Sequence, residues 1–381
     1  MKLEQYSCNA QSEWSLMSGG LDTAQAQLLL VFGSREALAD PAKFDWLRAK
    51  YPQAALLGCS SAGEICGTQV FDDTLVATAI HFDQTPIQLV EADIGSTGDS
   101  FQAGAALARQ LNPIGLVHVL VLSDGTQVNG SELVKGLRAG LPEPVVVTGG
   151  LAGDGARFQR TLVLTNQGAH RGRIALVGFY GDHIQVGCGS LGGWDPFGPQ
   201  RVITRSRDNV LYELDGQSAL ALYKTYLAEH AVDLPASGLL FPLELTVPGA
   251  QSSTVRTILA VNEADQSMTF AGDMPQGAQA RLMMANFDRL IDGAIGAAEK
   301  CMSHKGSASP ELAILISCVG RKLILKQRTE EEVEGAQEAL GPGTMLTGFY
   351  SYGEISPFTQ GERCELHNQT MTITTLSERA S

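Results

Sequence analysis

Gly58-Cys59-Ser60-Ser61-Ala62-Gly63-Glu64-Ile65 and Gly348-Phe349-Tyr350-Ser351-Tyr352-Gly353-Glu354-Ile355 carry the same residue at five of eight positions: Gly, Ser, Gly, Glu and Ile. The surroundings agree as well. Residues 27–32 read as a buried strand, Asp40-Pro41 as a helix start with proline in the first turn, and residues 54–57 as a second strand. Before the later segment the order is the same: a strand at 313–316, a helix opened by Thr329 and Glu332, and a strand at 344–346. A middle stretch repeats it. Residues 116–122 form a strand, Asn129 with Glu132 makes a capping-box start, and residues 144–147 lead into Thr148-Gly149-Gly150-Leu151-Ala152-Gly153-Asp154. There Asp replaces Glu. The pattern predicts an α/β (α+β) fold of mixed β-sheets covered by helices, built from duplicated strand-helix-strand units in two halves.

Composition narrows the class. The 381 residues are 44% hydrophobic and 18% charged, as expected of a folded chain of two or three domains. Residues 1–24 are polar and read as a lead-in. Residues 25–210 and 211–381 read as the two domains, joined by a Gly- and Pro-bearing crossover at 187–207. A formal charge of −14, with no Lys/Arg cluster, argues against nucleic-acid and anionic-membrane partners. The apolar runs are too short to span a bilayer, and the first residues lack the apolar core of a secretion signal. Seven cysteines, an odd count without a C-x-x-C, read as reduced thiols of a cytoplasmic protein.

Candidate chemistry gathers at the acidic glycine turns. Ser60, Ser61 and Gly63 would offer hydroxyls and open backbone to a ligand, and Glu64, Asp154 or Glu354 would accept from its amine or hydroxyl. The alternative is that each carboxylate caps its own turn. Cys318, at the end of the 313–317 strand, is a nucleophile only if positive neighbours favour its thiolate; otherwise it is a small buried apolar group. Arg321 has the planar fork that grips a carboxylate or phosphate, and its alternative is an internal ion pair. Tyr350 and Ser351, with Tyr352 and Trp194, suit a pocket wall or a core. The glycine spacing at 58–63 is wrong for a nucleophile elbow. No metal set is complete: Cys59 and Cys66 lack partners, and His81, His118, His170, His183, His230, His304 and His367 form no pair at ligand spacing.

The segment 58–65 resembles the signature of the FIST N domain. Phe270-Ala271-Gly272-Asp273-Met274-Pro275-Gln276-Gly277, Cys318-Val319-Gly320-Arg321 and the segment 348–355 resemble FIST C. The resemblance covers residues 25–375. It implies a sensory module of signal transduction that binds a small ligand, with amino acids proposed for some members and haem-based nitric oxide sensing for others. The chain carries no kinase, cyclase or methyl-accepting segment of its own. Its output is therefore expected through a partner such as a histidine kinase or a cyclic-nucleotide enzyme. The leading expectation is a cytoplasmic sensor in which Arg321 holds an anionic group and Glu354 or Glu64 an amine, as an amino acid would require. The alternatives are a haem gas sensor and an enzyme using Cys318 or Glu354.

Overall fold

The computed structural model describes residues 1–9, 12–95, 98–249, 253–302, 310–357 and 363–379. It has the mixed sheets and covering helices that the pattern predicts, and the strand-helix-strand unit occurs three times.

The first unit holds β1 (Lys2–Asn9), β2 (Ser15–Gly19), β3 (Leu28–Gly33), helices α1 (Arg35–Leu38) and α2 (Pro41–Lys50), β4 (Ala55–Ser60), the hairpin β5 (Glu64–Cys66) and β6 (Gln69–Phe71), and β7 (Thr74–His81). The second holds β8 (Ile87–Asp93), α3 (Ser100–Ala108), β9 (Leu116–Ser123), α4 (Gly130–Gly140), β10 (Val146–Leu151), the hairpin β11 (Val163–Thr165) and β12 (Gly168–His170), and β13 (Arg173–Tyr180). The third begins with β14 (Ile184–Leu191). Eight further strands, β15 (Asp195–Arg207) through β22 (Gln279–Met284), form an inserted sheet packed on α5 (Ala219–Leu227). The third unit resumes with α6 (Phe287–Met302), β23 (Leu312–Cys318), α7 (Val319–Leu325), α8 (Thr329–Leu340), β24 (Met345–Ser351), the hairpin β25 (Gly353–Ser356) and β26 (Glu365–His367), and β27 (Met371–Glu378).

Each unit pairs its first two core strands in parallel, β3 with β4, β9 with β10 and β23 with β24, and returns antiparallel as β7, β13 or β27. The hairpins are exchanged around a ring. β5–β6 completes the third unit's sheet, β11–β12 the first unit's, and β25–β26 the second unit's. The order hairpin, second strand, first strand, return strand, edge strand is therefore the same in all three sheets.

The core follows from strand alternation. Leu28, Leu30 and Phe32 face a shared centre with Leu120, Ile314 and Phe349, while Leu29 and Val31 face α1 and α2 through Leu38 and Leu47. Strands buried on both faces read as continuous apolar runs, which is why residues 27–32 and 116–122 carry no polar alternation. Phe32 stacks on Phe349 at 4.8 Å, joining the first and third sheets. Two helix starts form as expected: Asp40 caps α2 through Ala42 N–H, and Asn129 caps α4 through Glu132 N–H.

Two local readings differ. The polar stretch read as a lead-in contains β1, which pairs with β7 along its whole length; Leu3 packs on the core cluster at one face of the strand and Cys8 in the cluster at the other. The crossover is itself strand: β14 is an edge of the third core sheet and β15 runs on into the inserted one.

One glycine explains the echo. Gly58, Gly149 and Gly348 lie opposite Val31, Val121 and Leu315 in the three parallel pairs. A Cβ there would sit 2.1, 1.8 and 1.8 Å from the facing carbonyl oxygen. Gly149 and Gly348 also have φ of +152° and +159°. Gly348→Ala is expected to destabilise the protein by about 3 kcal/mol or more, since backbone oxygen cannot move aside. Urea unfolding of this variant checks it, and a loss below about 1 kcal/mol would contradict the account.

Candidate functional site

The three acidic turns converge, and backbone hydrogen bonds link them in a ring. Gly153 N–H donates to Ser60 O (2.8 Å), Ala62 N–H to Tyr350 O (2.8 Å), and Tyr352 N–H to Leu151 O (3.2 Å). The turns of all three units thus bind one another directly.

The carboxylates act as clasps. Glu64 accepts from Ser61 Oγ and from Thr74 N–H (3.1 Å) and Oγ1 (2.7 Å). Glu354 repeats this with Ser351 Oγ (2.6 Å) and Thr370 N–H (3.2 Å) and Oγ1 (3.0 Å). Each ties its turn to the first residues of the return strand. Asp154 instead accepts from Gln159 N–H (3.2 Å), Arg160 N–H (2.9 Å), Arg35 Nη1 (3.2 Å) and the Tyr352 hydroxyl. Burial pushes the Glu64 carboxyl up to about 7 and the Glu354 carboxyl up to about 8, against the opposing pull of these hydrogen bonds. Lys322 donates to Ala62 O (2.9 Å) and pairs with Asp72, close enough to Glu64 to oppose that rise.

The sequence-predicted residues therefore meet, but inside the protein. Ser60 is buried and accepts from Leu162 N–H (2.9 Å). Gly63 is packed under Lys322. Cys318 is buried, and burial raises its thiol far above the range of a reactive thiolate, so an enzyme built on it has no accessible nucleophile. Arg321 needs the clearest correction. It is fully buried, and its guanidinium donates to Glu332 (3.0 and 2.7 Å), Leu290 O (2.6 Å) and Gly192 O. Tyr350 (2.7 Å) and Ser317 (3.0 Å) complete the same carboxylate. The fork that was expected to hold a ligand anion holds α8 and the β14–β15 junction. Trp194 donates to Gln369 O (2.8 Å) beside this network and joins no common wall with the tyrosines.

The accessible feature lies next to the ring. A cleft of about 310 Å³ opens between the three-unit core and the inserted sheet. Core residues on it include Gly125, Gln127, Asn129, Leu151, Phe158 and Tyr352. Facing them are Asn209, Leu259 and Phe270-Ala271-Gly272. Phe158 stacks on Tyr352 at 4.3 Å. Among the described residues, none with a carboxylate or a cationic side chain lines the cleft. Tyr352 stands beside the acidic turn in the sequence, and Phe270-Ala271-Gly272 belongs to a segment that carries the family resemblance. Phe158 and the 125–130 loop gave no local signal.

Haem would need a side chain aimed into a cavity as axial ligand. His118 and His367 are buried in the core, bonded to Thr148 (2.9 Å) and Ser356 O (2.7 Å), and burial holds His367 down at about 4. No histidine lines the cleft, so its residues do not fit a histidine-ligated haem; His304 lies outside the described residues. Among the described residues no group of His, Cys, Asp and Glu is arranged to hold a metal, and no helix is long and apolar enough to cross a membrane.

Residues 27–217 match the FIST N domain and residues 219–357 the FIST C domain. The chain belongs to the FIST family, whose domains are sensory modules of signal transduction. No curated protein matches it. Among solved structures it is similar to a cyanuric acid hydrolase from A. caulinodans, at 10% identity and a TM-score of 0.33, over 94% of this chain and 92% of that one. That likeness is too slight to bear on fold or chemistry.

Two substitutions test the buried groups. Arg321→Ala leaves the Glu332 carboxylate without its charge partner and is expected to cost about 3–5 kcal/mol in urea unfolding; a variant as stable as wild type would contradict the assignment. The folded Glu354 carboxyl keeps its proton up to about 8, whereas an unfolded one loses it near pH ~4.3. Stability contributed by this group therefore falls as pH rises through that window and is lowest above it. Glu354→Gln removes the titration, so its stability relative to wild type should improve from pH 5 to pH 9. Equal differences at both pH values would contradict the raised carboxyl.

Proposed function

We propose that the cleft between the core and the inserted sheet binds a small ligand with an apolar or aromatic body, and that occupancy is the sensed signal. The carrying observation is the meeting of Phe270-Ala271-Gly272 with the 125–130 loop and the Phe158–Tyr352 stack around one open volume of about 310 Å³. That size lies at the lower end for small-molecule sites, and an apolar lining with a few amide groups is their usual character.

An amino acid with an apolar or aromatic side chain suits the lining. Its ring or alkyl group would lie on Phe158 and Tyr352. Its carboxylate would face the amino end of α4, where Gly130 opens the helix, and its ammonium would meet the amide oxygens of Gln127, Asn129 and Asn209. This reading replaces gripping by Arg321 and Glu354 with recognition by neutral dipoles. The family supports a signalling role. We propose that a separate cytoplasmic partner, such as a histidine kinase or a cyclic-nucleotide enzyme, reads the position of the inserted sheet. Ligand binding would act by favouring one orientation of that sheet over another.

A thermal-shift screen of the twenty amino acids tests the reading. A ligand at 100 times its Kd adds about 2.7 kcal/mol to the folded state, which raises Tm measurably. Phe158→Ala removes a half-exposed ring without opening the core. It is expected to weaken binding of the best amino acid roughly tenfold while leaving the unliganded Tm nearly unchanged. No shift with any amino acid, or equal affinity in Phe158→Ala, would overturn the assignment.

A further inference from the structure

A second, smaller cavity of about 160 Å³ lies on the other side of the α4 amino end. One wall is the α4 face that carries Ser131, Lys135 and Arg138; the opposite wall belongs to the insert, with Thr254 and Arg256 of β19 (Thr254–Arg256) and Asp273. Glu365 and Leu366 of β26 close the third side.

Arg256 is only 7% exposed, yet no carboxylate among the described residues pairs with it. Its donors reach carbonyl oxygens alone: Leu366 O (3.0 Å), Val255 O (3.2 Å) and Asp273 O (3.4 Å). The Asp273 carboxylate is turned to Lys135 (3.0 Å) instead. A buried guanidinium without a counter-ion is costly, and burial does pull this one below its ordinary value despite Asp273 and Glu365 nearby. Arg138, exposed on the same cavity, has no ion pair among the described residues. Ser131 is 8% exposed, and its hydroxyl has no hydrogen-bond partner. Two arginines without a carboxylate in contact among the described residues and an unsatisfied buried hydroxyl thus line one half-open pocket, where three cationic side chains face two carboxylates.

We propose that this cavity binds a small oxyanion of the phosphate type, held by Arg256 and Arg138 and accepting from Ser131 Oγ. Guanidinium groups match the oxygens of such an anion, and a hydroxyl donor supplies the remaining contact. The volume falls below the ~300 Å³ of sites for larger organic ligands and suits a small ion. Because one wall is core and the other insert, a bound anion clamps the two together. Ser131 faces the cavity and the preceding Gly130 faces the ligand cleft, so the clamp sits one residue from the proposed sensory site.

Inorganic phosphate is the probe, titrated against chloride at matched ionic strength, with Tm and calorimetry as readouts. Wild type should show saturable binding and a rise in Tm beyond that in chloride. Arg138→Gln should raise the Kd roughly tenfold and Ser131→Ala roughly fivefold, both folding normally in chloride. Glu365→Gln removes a competing negative charge and should tighten binding, a change of sign that a merely structural role would not give. Arg256→Lys should weaken it, but Arg256 also holds β19 to β26, so the other variants decide. Absence of a phosphate-specific shift in wild type, or the same Kd in Arg138→Gln and Ser131→Ala, would overturn the proposal. Phe158→Ala should keep phosphate binding intact, which separates this site from the cleft.

Discussion

None of the three core sheets is completed by its own unit. The strand beside β4 is β11, the one beside β10 is β25, and the one beside β24 is β5, so each unit lends a hairpin and borrows another. Backbone groups along a sheet edge must be paired or wetted, and this exchange pairs them only when all three units are in place. The pairing of Cys66 with Thr347 shows how far apart in sequence the partners lie. Such non-local strand pairing must close long loops before it returns any stabilisation, which makes assembly cooperative and intrinsically slow. The glycines at 58, 149 and 348 belong to the same constraint, because the second strand approaches its parallel neighbour too closely there for any Cβ.

The ring of turns explains why carboxyl groups survive in a place this deeply buried. Each hairpin leaves its unit at a turn and the chain comes back at a return strand, so something must bridge the gap. Glu64 and Glu354 do so with matching contacts to a serine in the turn and a threonine at the start of the return strand. A protonated carboxyl both donates and accepts, which suits a buried bridge better than a bare charge. Cations from neighbouring units also approach two of the acids. Asp154 meets Arg35 of the first unit, and Glu64 lies near Lys322 of the third. Glu354 has Arg321 of its own unit near enough to oppose the rise that burial gives its carboxyl.

Much of the fold was legible because it rests on a backbone approach that leaves no room for a Cβ and on a repeated clasp. Gly58 and Gly348 make the close approach, and the shared Ser and Glu at 61, 64, 351 and 354 make the clasp, so the echo was structural information. The third copy was harder to read. In the second unit Asp154 takes backbone and arginine contacts in place of the Ser–Glu–Thr clasp, and the match of residue types fades. The exchange of hairpins left no local trace, since β5–β6 looks like any short hairpin. Arg321 was misread for a similar reason. Its position after a strand is visible, but its partner Glu332 reaches it only when α8 packs back over α7. Phe158 carries no pattern at all, because its role comes from stacking on a tyrosine nearly two hundred positions away.

The location of the cleft gives the ring a further consequence. Tyr352 is at once a wall of the cleft, a member of the third unit's turn, and a donor to Asp154 in the second unit's turn. Asp154 in turn holds Arg35, which opens α1 in the first unit. One largely buried side chain at the wall of the cleft is thus connected through two hydrogen-bonded contacts to all three units. Packed interiors do not deform gradually, so a displacement of Tyr352 must either be absorbed by Phe158 or be passed to Asp154 and Arg35. A ligand that holds the Phe158–Tyr352 stack in one arrangement would restrict this choice, and it can bias the protein only by the difference in its affinity for the two arrangements. A hundredfold difference supplies about 2.7 kcal/mol, comparable to the cost of breaking one or two buried hydrogen bonds to charged groups. The contact from Tyr352 to Asp154 is of that kind. The chain of side chains from the cleft to the core is therefore of a strength that a small ligand can set.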